Sequence, residues 1–346
     1  MNDLANSHKL RATACGVALS LFSFGITLFG LLLVTFLIGR TMPIDPVIAI
    51  AGDRASPDVV ARIRTEMGLD RSLPEQFWIY LEHVGRGDLG KSVMTTSPVT
   101  QDLANFFPAT FELATTAILI AIGFGIPLGV WAASRRGSYV DKTVRLLSLF
   151  GQSIPIFVLG LLALLVFYVK LNLAPGTGRQ DIIFQGTVPR VTGFISIDAL
   201  ITGDLAAFQD ALAHLILPSL VLATFSLAII ARMTRSFMLD ALASEFIVTA
   251  KAKGLSWSRT LWRHALPSVV APLLTVIAMT YAMLLEGAVL TETVFSWPGL
   301  GLYLTTSLLN ADMNAVLGAT LVIGTVYLAL NTLSDVASHA LDPRIQ

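Results

Sequence analysis

Apolar residues gather in six runs along the chain, and polar loops separate the runs. A transmembrane helix needs about 20 apolar residues to cross roughly 30 Å of hydrocarbon. Each run is close to that length, so the pattern predicts six transmembrane helices. The runs cover residues 16–38, 113–133, 146–169, 213–231, 269–290 and 315–333.

Composition agrees with this pattern. Of the 346 residues, 54% are hydrophobic and 13% are charged, and the mean hydropathy is +0.73. An ordinary soluble domain has roughly a quarter of its residues charged. The sequence therefore predicts an all-α integral membrane protein. Its formal net charge of zero argues against nucleic-acid binding, which needs a basic surface.

The first apolar run also has a second interpretation, a cleaved signal peptide. Lys9 and Arg11 precede it, as basic residues precede a signal peptide. However, the run is too long for a signal-peptide core, and its end, IGRTMP, lacks a small-residue cleavage site. A retained membrane anchor, preceded by a cytoplasmic tail at residues 1–15, is therefore favoured.

Lysine and arginine counts in the short loops predict the orientation. The loop between runs two and three has four, the loop between runs four and five has six, and the loop between runs five and six has none. We expect the two basic loops to face the cytoplasm. This places both termini inside, residues 39–112 outside, and a five-helix core at residues 113–346.

The external segment 39–112 contains two helical patterns. Residues 56–69 begin with Ser56 as a cap and carry apolar residues at helical spacing. Residues 74–84 repeat this periodicity. The segment is predicted to form a small helical cap on the first span.

The stretch GRGDLGKS, residues 85–92, fits the phosphate-binding pattern G-x-x-x-x-G-K-[ST]. A working phosphate loop follows a buried strand and opens a helix. Here a helix is predicted before it, and VMTTSPVT after it is a poor helix start. The segment is also predicted to lie outside, where ATP is scarce. We therefore expect a glycine-rich turn, and any ATP-derived energy must come from a partner.

No catalytic or metal-binding constellation is visible in the sequence. The five histidines form no H-E-x-x-H pair, and G-x-S-x-G does not occur. Glu286 is the carboxylate clearly inside an apolar run, and such a residue is a candidate for the translocation path. A contact with lipid headgroups or with a neighbouring side chain remains the alternative.

The loop from residue 245 to residue 276 is the most informative segment. Its pattern predicts two short helices joined at Gly254, the second ending at Pro267, across the cytoplasmic surface. A groove on another protein can grip such an element and transmit force to the spans it joins. An ordinary interfacial helix pair is the alternative.

This loop resembles the EAA loop of ABC importer permeases. That pattern places a glycine thirteen residues before a proline that follows leucine, as Gly254, Leu266 and Pro267 do here. Ala250 matches its second alanine, whereas Val248 and Thr249 stand where it has glutamate and the first alanine. The stretch TAKAKGLS is similar to the variant found in the dipeptide, oligopeptide and nickel group.

Further segments resemble the same group in the same order along nearly the whole chain. They are DPVIAIAG, MGLDRSLPEQ, RGDLGKS, FPATFELA, GIPLGVWAASRRGSYVD, LFGQSIPIF, ETVFSWPGLG and LDPRIQ. By this resemblance, members of the group carry a turn of the form G-D-L-G-x-S where this chain has GRGDLGKS. The lysine at position x then completes the phosphate-loop pattern by chance.

The resemblance implies a type I ABC importer permease fold and a function in binding-protein-dependent uptake. It implies a homologous second permease, two cytoplasmic ATPases that bind ATP and Mg²⁺, and an extracytoplasmic solute-binding protein. This chain would then hold no cofactor and no metal, and would lie in a bacterial or archaeal inner membrane. Di- or oligopeptides are the expected cargo. Nickel or glutathione uptake is the alternative, and a secondary transporter is a competing interpretation.

The resemblance also implies roles for particular residues. An external turn would form a gate or contact the binding protein; its residues are Trp297, Pro298, Gly299 and Gly301. The loop would couple to an ATPase through Thr249, Ala250, Lys251, Lys253, Gly254, Leu255, Leu266 and Pro267. Trp297 is expected at the membrane interface, and Pro127, Pro155, Pro218 and Pro272 are expected to kink or loosen helices in or near the spans.

Overall fold

The computed structural model describes residues 2–41, 47, 52, 55–66 and 68–341. Throughout this part of the chain the secondary structure is helical, and the only strand-like pairing is a bridge between Lys91 and Pro98. The predicted all-α fold is confirmed. Residues 342–346 of LDPRIQ and most of DPVIAIAG lie outside the described residues, as does Met67.

The first three helices precede the core. They are α1 (Asn2–Thr41), α2 (Pro57–Glu66) and α3 (Leu73–Gly85). The last two confirm the helices predicted before and after residue 70. Aromatic residues fix α3 against α1, since the ring centroids of Phe36 and Phe77 are 5.2 Å apart. The Thr35 and Tyr80 hydroxyl oxygens are 3.1 Å apart across the same contact.

The next five helices form the first part of the core. They are α4 (Val99–Ser134), α5 (Tyr139–Ser153), α6 (Ile156–Ala163), α7 (Ile195–Thr202) and α8 (Leu205–Leu242). The long helices α4 and α8 pack side by side at the centre. Leu113 and Leu222 are buried between them, and Leu284 joins this cluster from a later helix. The buried apolar surface lies where the longest helices meet.

The third apolar run does not form one straight helix. α5 and α6, with its π-helical continuation Leu164–Lys170, meet at an angle of 99°. The break lies at Pro155, whose ring cannot donate a backbone hydrogen bond, and Ile154 before it is extended. Hydropathy could not reveal this bend because both halves are apolar enough to be read as one run.

The remaining helices complete the bundle. They are α9 (Glu245–Ala252), α10 (Trp257–Arg259), α11 (Leu266–Phe295), α12 (Leu300–Leu309) and α13 (Met313–Leu341). The expectation that Pro267 ends a helix is wrong. A π-helical stretch, Thr260–Ala265, connects α10 to α11, so residues 257–295 run as one helix. The wider π turn lets a helix accommodate a residue that lacks a backbone N–H.

Five helices in the described part are long and apolar enough to cross a membrane, and the bent pair α5–α6 supplies a sixth span. The helices extend beyond the predicted runs; α4, for example, begins at Val99, well before residue 113. Hydropathy identifies the part that fits in lipid, whereas hydrogen bonding continues the helix into water.

The alternating direction of the helices gives the bundle two ends. We call the end that carries residues 134–139 and 243–265 the basic end, because it holds the arginine- and lysine-rich loops. The other, which we call the opposite end, carries residues 86–98, 171–204 and 296–312.

Candidate functional site

The basic end carries an element made of α9, Gly254, α10 and the π-helical stretch. We call residues 245–265 the coupling element. One face of it is buried: Ile247 is 0% exposed, and Ala250, Leu261 and Ala265 are also buried. These residues pack against a cluster that includes Met238, which anchors the element to α8.

Gly254 forms the joint between the two halves of the coupling element. Its φ is +77°, a left-handed conformation that side chains with a Cβ adopt only at a cost. No heavy atom lies within 4 Å of the position where a Cβ would stand. The requirement for glycine at this joint is therefore conformational and not steric.

The other face of the coupling element is exposed and carries large apolar side chains among basic and polar ones. Phe246, Val248, Trp257 and Trp262 are between 42% and 63% exposed. The Lys251 ammonium lies 4.5 Å from the Trp257 ring centroid, a cation–π contact across the glycine joint. Large exposed aromatic residues beside basic groups are typical of a surface that another protein covers.

The structure brings the predicted coupling residues into one element but gives them different surroundings. Thr249, Lys251, Lys253, Gly254 and Pro267 are exposed. The remaining three are Ala250, which is buried, and Leu255 and Leu266, which are half-buried. The exposed members lie where a partner can reach them, and Ala250 instead contacts the bundle.

The second half of the coupling element is continuous with α11. Residues Trp257–Phe295 form one apolar helix of 39 residues. At about 1.5 Å per residue, this helix is roughly 58 Å long and spans the bundle from end to end. A displacement of the coupling element therefore has a direct covalent route to the opposite end.

A second anchor at the basic end is an ion pair between Asp141 and Arg235. Arg235 Nη2 donates to Asp141 Oδ2 at 2.9 Å, and its Nε donates to the other carboxylate oxygen. Asp141 is buried, so the pair is shielded from water. It fixes the start of α5 against α8.

At the opposite end, α11 finishes in a buried carboxylate, Glu292, which is 0% exposed. Its Oε1 accepts a hydrogen bond from the Thr110 hydroxyl at 2.6 Å. Its Oε2 accepts from the backbone N–H groups of Gly301 at 2.7 Å and Leu302 at 3.0 Å. The carboxylate thus caps the N-terminus of α12, where the unpaired N–H groups favour a negative group.

Beside Glu292 lies a second carboxylate, Glu112, in a buried ion pair with Arg179. Arg179 Nε donates to Glu112 Oε2 at 3.2 Å, and Nη2 donates to the Gly193 carbonyl at 2.9 Å. The backbone N–H of Ser196 donates to Glu112 Oε1 at 3.1 Å. This pair ties the loop before α7 to α4.

Trp297 joins these two groups. Its ring lies 5.7 Å from the Arg179 guanidinium, and its Nε1 donates to the Ala109 carbonyl at 2.9 Å. We call Glu112, Arg179, Glu292 and Trp297 the closure cluster. The Trp297 backbone N–H also donates to the Glu292 carbonyl at 2.8 Å, so the cluster links α4, α11, α12 and the loop before α7.

The predicted gate residues therefore lie inside the protein. The Trp297 ring is 1% exposed, so the expectation that it lies at the membrane interface is wrong. Its amphipathic ring and neighbouring turn suggested an interface, but its N–H finds a buried carbonyl instead. Gly299 and Gly301 are also buried, and Pro298 is half-buried. A Cβ on Gly299 would stand 2.5 Å from Glu292 Oε1, so glycine lets this carboxylate approach the backbone.

Sequence reasoning did not single out Glu112, Glu292 or Arg179. Both carboxylates lie just beyond the predicted apolar runs, where an acidic residue is expected in water. Their signal was present in FPATFELA and ETVFSWPGLG, where each acid stands among aromatic and small residues. Arg179 lies in a polar loop and carries no comparable signal.

Glu286 lies on an exposed face of α11, in contrast to Glu292 two turns later. Met279, Met283 and Leu290 flank it at helical spacing and are 44%, 50% and 50% exposed. This face is open to lipid, to a cavity or to another subunit.

The segment GRGDLGKS lacks the geometry of a phosphate loop. Helix α3 precedes it and ends at Gly85, and the next helix, α4, begins only at Val99. The Ser92 hydroxyl donates to the buried Asp312 carboxylate at 2.5 Å, so it is used in packing. The prediction of a structural turn is confirmed by these contacts.

Another carboxylate at the opposite end, Asp198, organises the loop before α7. Its oxygens accept hydrogen bonds from the Thr192 N–H at 2.7 Å and the Gly193 N–H at 2.9 Å, and from the Thr192 hydroxyl at 2.6 Å. Burial opposes ionisation, but these donors lower the pKa of Asp198 below its ordinary value. No group of three potential metal-binding side chains occurs among the described residues.

Comparison with known proteins gives two family matches. The family described as "Binding-protein-dependent transport system inner membrane component" matches residues 125–346, more than half of the chain. The N-terminal family of the same system matches residues 19–114.

Individual relatives align over nearly their whole length. A protein of Escherichia coli strain K12 named as a probable D,D-dipeptide transport system permease is 43% identical over 91% of this chain and 93% of its own. The dipeptide transport system permease of the same strain is 42% identical over 92% and 95%. The di/tripeptide transport system permease of Pseudomonas aeruginosa is 41% identical over 92% and 95%.

Proposed function

The chain belongs to the family of binding-protein-dependent transport system inner membrane components and is a permease subunit of an ABC importer, and we propose that its cargo is di- or oligopeptides. The relatives described above are named for dipeptides or di- and tripeptides and align over more than nine-tenths of the chain. These relatives do not favour the alternative of nickel or glutathione import.

As a permease subunit, the protein is a transporter component and not an enzyme, and separate ATPases hydrolyse ATP. It is a multi-pass inner membrane protein that works with a solute-binding protein. We further propose a homologous second permease, two ATPase subunits and cytoplasmic termini. ATP and Mg²⁺ would bind to the ATPases, and this chain would need no cofactor.

The charge distribution supports this orientation. Basic side chains cluster in the two loops of the basic end, and this asymmetry is typical of cytoplasmic loops. The exposed aromatic face of the coupling element would then meet an ATPase in the cytoplasm.

One observation carries the mechanism: the second half of the coupling element is continuous with α11. Closure of the ATPases on ATP would displace the coupling element, and this helix would carry the displacement across the membrane. Such coupling is a rigid-element transition between two states that different ligands favour.

The closure cluster would determine which parts of the opposite end move together with α11. Since Glu292 ends α11 and caps α12, the two helices would move as one unit. The Arg179–Glu112 pair would carry the loop before α7 along with them. Opening to the binding protein would then be a movement of the whole opposite end and not of one side chain.

Glu286 is the proposed contribution of this chain to the translocation path. Its carboxylate lies on an exposed face of α11, and a peptide carries an ammonium group that a carboxylate attracts. Pro298 is the member of the Trp297–Gly301 turn left partly accessible for a contact with the binding protein.

The test is reconstitution of the whole importer in lipid vesicles. The binding protein is loaded in turn with a dipeptide, a longer peptide, a nickel chelate or glutathione, and ATPase turnover and solute uptake are measured. The proposal expects peptides to raise both rates above the empty binding protein. Stimulation by nickel chelate or glutathione alone would reject peptides as the cargo, and uptake by the isolated permease without ATPases would reject the coupling mechanism.

A further inference from the structure

A cavity of about 600 Å³ lies at the opposite end, away from the closure cluster. It is lined by the end of α1, by α2, α3 and the turn between them, by the loop after α3 and by the start of α13. Its lining includes Phe36, Arg40, Gln76, His83, Asn314 and Leu317. Neither the coupling element nor the exposed face of Glu286 contributes to it.

Gln76 provides an unsatisfied acceptor in this cavity. The residue is 7% exposed, and its Nε2 donates to the carbonyls of Leu69 at 3.3 Å and Arg71 at 2.8 Å. These two carbonyls fix the orientation of the amide. Within the part of the chain that the structure describes, its buried Oε1 has no hydrogen-bond partner. A buried acceptor of this kind favours a ligand that brings a donor.

The charged groups of the cavity favour an anion. His83 Nδ1 and Asp88 Oδ2 are 3.0 Å apart, and Gly90 N–H donates to Asp88 Oδ1 at 3.0 Å, so these two side chains satisfy each other locally. Among the described residues, the other charged side chains of the lining are Arg40 and Arg71, both cationic. The Arg40 Nε is buried and has no hydrogen-bond partner among the described residues.

The position of Arg40 indicates which anion can reach the site. Arg40 is the last residue of the apolar stretch Ser20–Arg40, so it lies where a membrane helix meets the headgroup region. Its guanidinium lies 5.2 Å from the Phe36 ring centroid, and Leu317 lines the same cavity. The site therefore combines an apolar wall, a cationic side chain and a hydrogen-bond acceptor at the depth of the lipid headgroups.

We propose that this cavity binds a phosphate ester that carries a primary amine, supplied by the headgroup of a phospholipid. The phosphate accepts hydrogen bonds from Arg40 and Arg71, and the ammonium donates to Gln76 Oε1. Arginine is suited to phosphate because its N–H groups match two phosphate oxygens. The bound headgroup holds α1, α2 and α3 against α13, and this role does not depend on the transported solute.

The test uses the complete purified importer in detergent. Thermal unfolding and native mass spectrometry are measured with phosphatidylethanolamine, phosphatidylcholine and phosphatidylglycerol of the same acyl chains, and with soluble phosphoethanolamine. The variants are Arg40→Gln, Gln76→Leu and Arg71→Gln. The control is Arg86→Gln, an exposed arginine that pairs with Glu82 outside the cavity.

We expect phosphatidylethanolamine to bind best, because the choline headgroup has no N–H and the glycerol headgroup has no amine. Each cavity variant should weaken binding about tenfold, the effect of losing one hydrogen bond to a charged group, and Arg86→Gln should not. Arg71 is exposed, so Arg71→Gln reports on binding even if a buried variant folds poorly.

The measurement with soluble phosphoethanolamine distinguishes a lipid headgroup from a free phosphate ester as the ligand. A variant-sensitive response to phosphoethanolamine would support the site and assign it to a soluble ligand, whereas a response to the lipid alone would support the headgroup. Equal binding of all three lipids, or lipid selectivity that persists in all three cavity variants, would overturn the proposal.

Discussion

A tryptophan-bearing element lies at each end of the bundle, the coupling element at one and the closure cluster at the other, and the two differ in exposure. At the basic end, Trp257 and Trp262 are 42% and 45% exposed on the coupling element. At the opposite end, Trp297 is 1% exposed, and its N–H and ring are both satisfied within the chain. The first surface is complete only with a partner, whereas the second is complete by itself.

This difference indicates how force passes through the protein. The basic end presents an exposed surface, on both sides of the Gly254 joint, that a partner can bind. The opposite end contains the closure cluster, a polar network around the buried Trp297. A long helix, residues 257–295, connects them. Substitutions on the exposed face of the coupling element should therefore affect transport without unfolding the protein, whereas those in the closure cluster should affect both.

The largest expected effect on transport is at the glycine joint. Gly254→Val places a β-branched residue at φ +77°, at a cost of at least about 1–2 kcal/mol, and should abolish peptide-stimulated uptake by displacing the aromatic face. Gly254→Asn should retain part of the activity because asparagine tolerates this conformation. Uptake by reconstituted importer measures both.

The matched control is Gly137, which lies at the same end with φ +81° and with no heavy atom within 4 Å of the position that a Cβ would take. Gly137→Val introduces the same strain outside the coupling element. We expect it to lower stability like Gly254→Val while uptake continues. Equal loss of uptake in the two variants would mean that strain, and not coupling, was responsible.

The largest expected effect on stability is at the closure cluster. Arg179→Ala leaves Glu112 buried without its cation and should destabilise the protein by about 3–5 kcal/mol. Arg86→Ala breaks an exposed pair with Glu82 and should cost less than about 1 kcal/mol. Thermal unfolding of the complex compares them, and similar midpoints for the two variants would contradict the structural role of the cluster.

Substitutions at two neighbouring residues of α9 should have different effects, both of intermediate size. Ile247→Ala removes a fully buried side chain and should cost about 2–5 kcal/mol of stability. Phe246→Ala removes one that is 45% exposed, so it should leave the unfolding midpoint nearly unchanged but weaken ATPase binding. Co-purification of the ATPases measures the second effect. Undiminished recovery of ATPases with Phe246→Ala would show that this face is not the contact.

The smallest expected effect is the acid sensitivity of the loop before α7, which Asp198 organises. Because the folded pKa of Asp198 lies below its unfolded value, its contribution to stability is present above the unfolded pKa of about 3.9 and is lost as pH falls through the folded value. The unfolding midpoint should fall in this acid range more steeply in wild type than in Asp198→Asn. Parallel pH profiles for the two proteins would contradict this assignment.

Several features of the fold were predictable because the bilayer imposes them. Apolar length identified the spans, and the helical periodicity identified α2 and α3. The coupling element was predicted because Gly254 stands between two helical patterns, and its φ of +77° is a conformation that glycine adopts without cost.

Other features depend on contacts between distant parts of the chain. The 99° break at Pro155 and the continuous helix through Pro267 show that proline alone does not determine whether a helix ends. Pro127, Pro218 and Pro272 likewise lie inside continuous helices, so the contacts around each proline decide the outcome. Similarly, Glu112 and Arg179 are 67 positions apart, so hydropathy within one window could not pair them.

The central claim is that the second half of the coupling element, which begins at Trp257, and α11 move as one rigid helix. It can be tested by replacing Cys15 with serine, placing spin labels at Ser258 and Thr293, and measuring their separation in the complete importer by pulsed electron resonance. Both residues are exposed, and 35 helical positions correspond to about 53 Å. We expect this distance to be the same, with equally narrow distributions, in the nucleotide-free and ATP-trapped states. A shorter or broader distribution on ATP trapping would show that the helix bends and would contradict the claim.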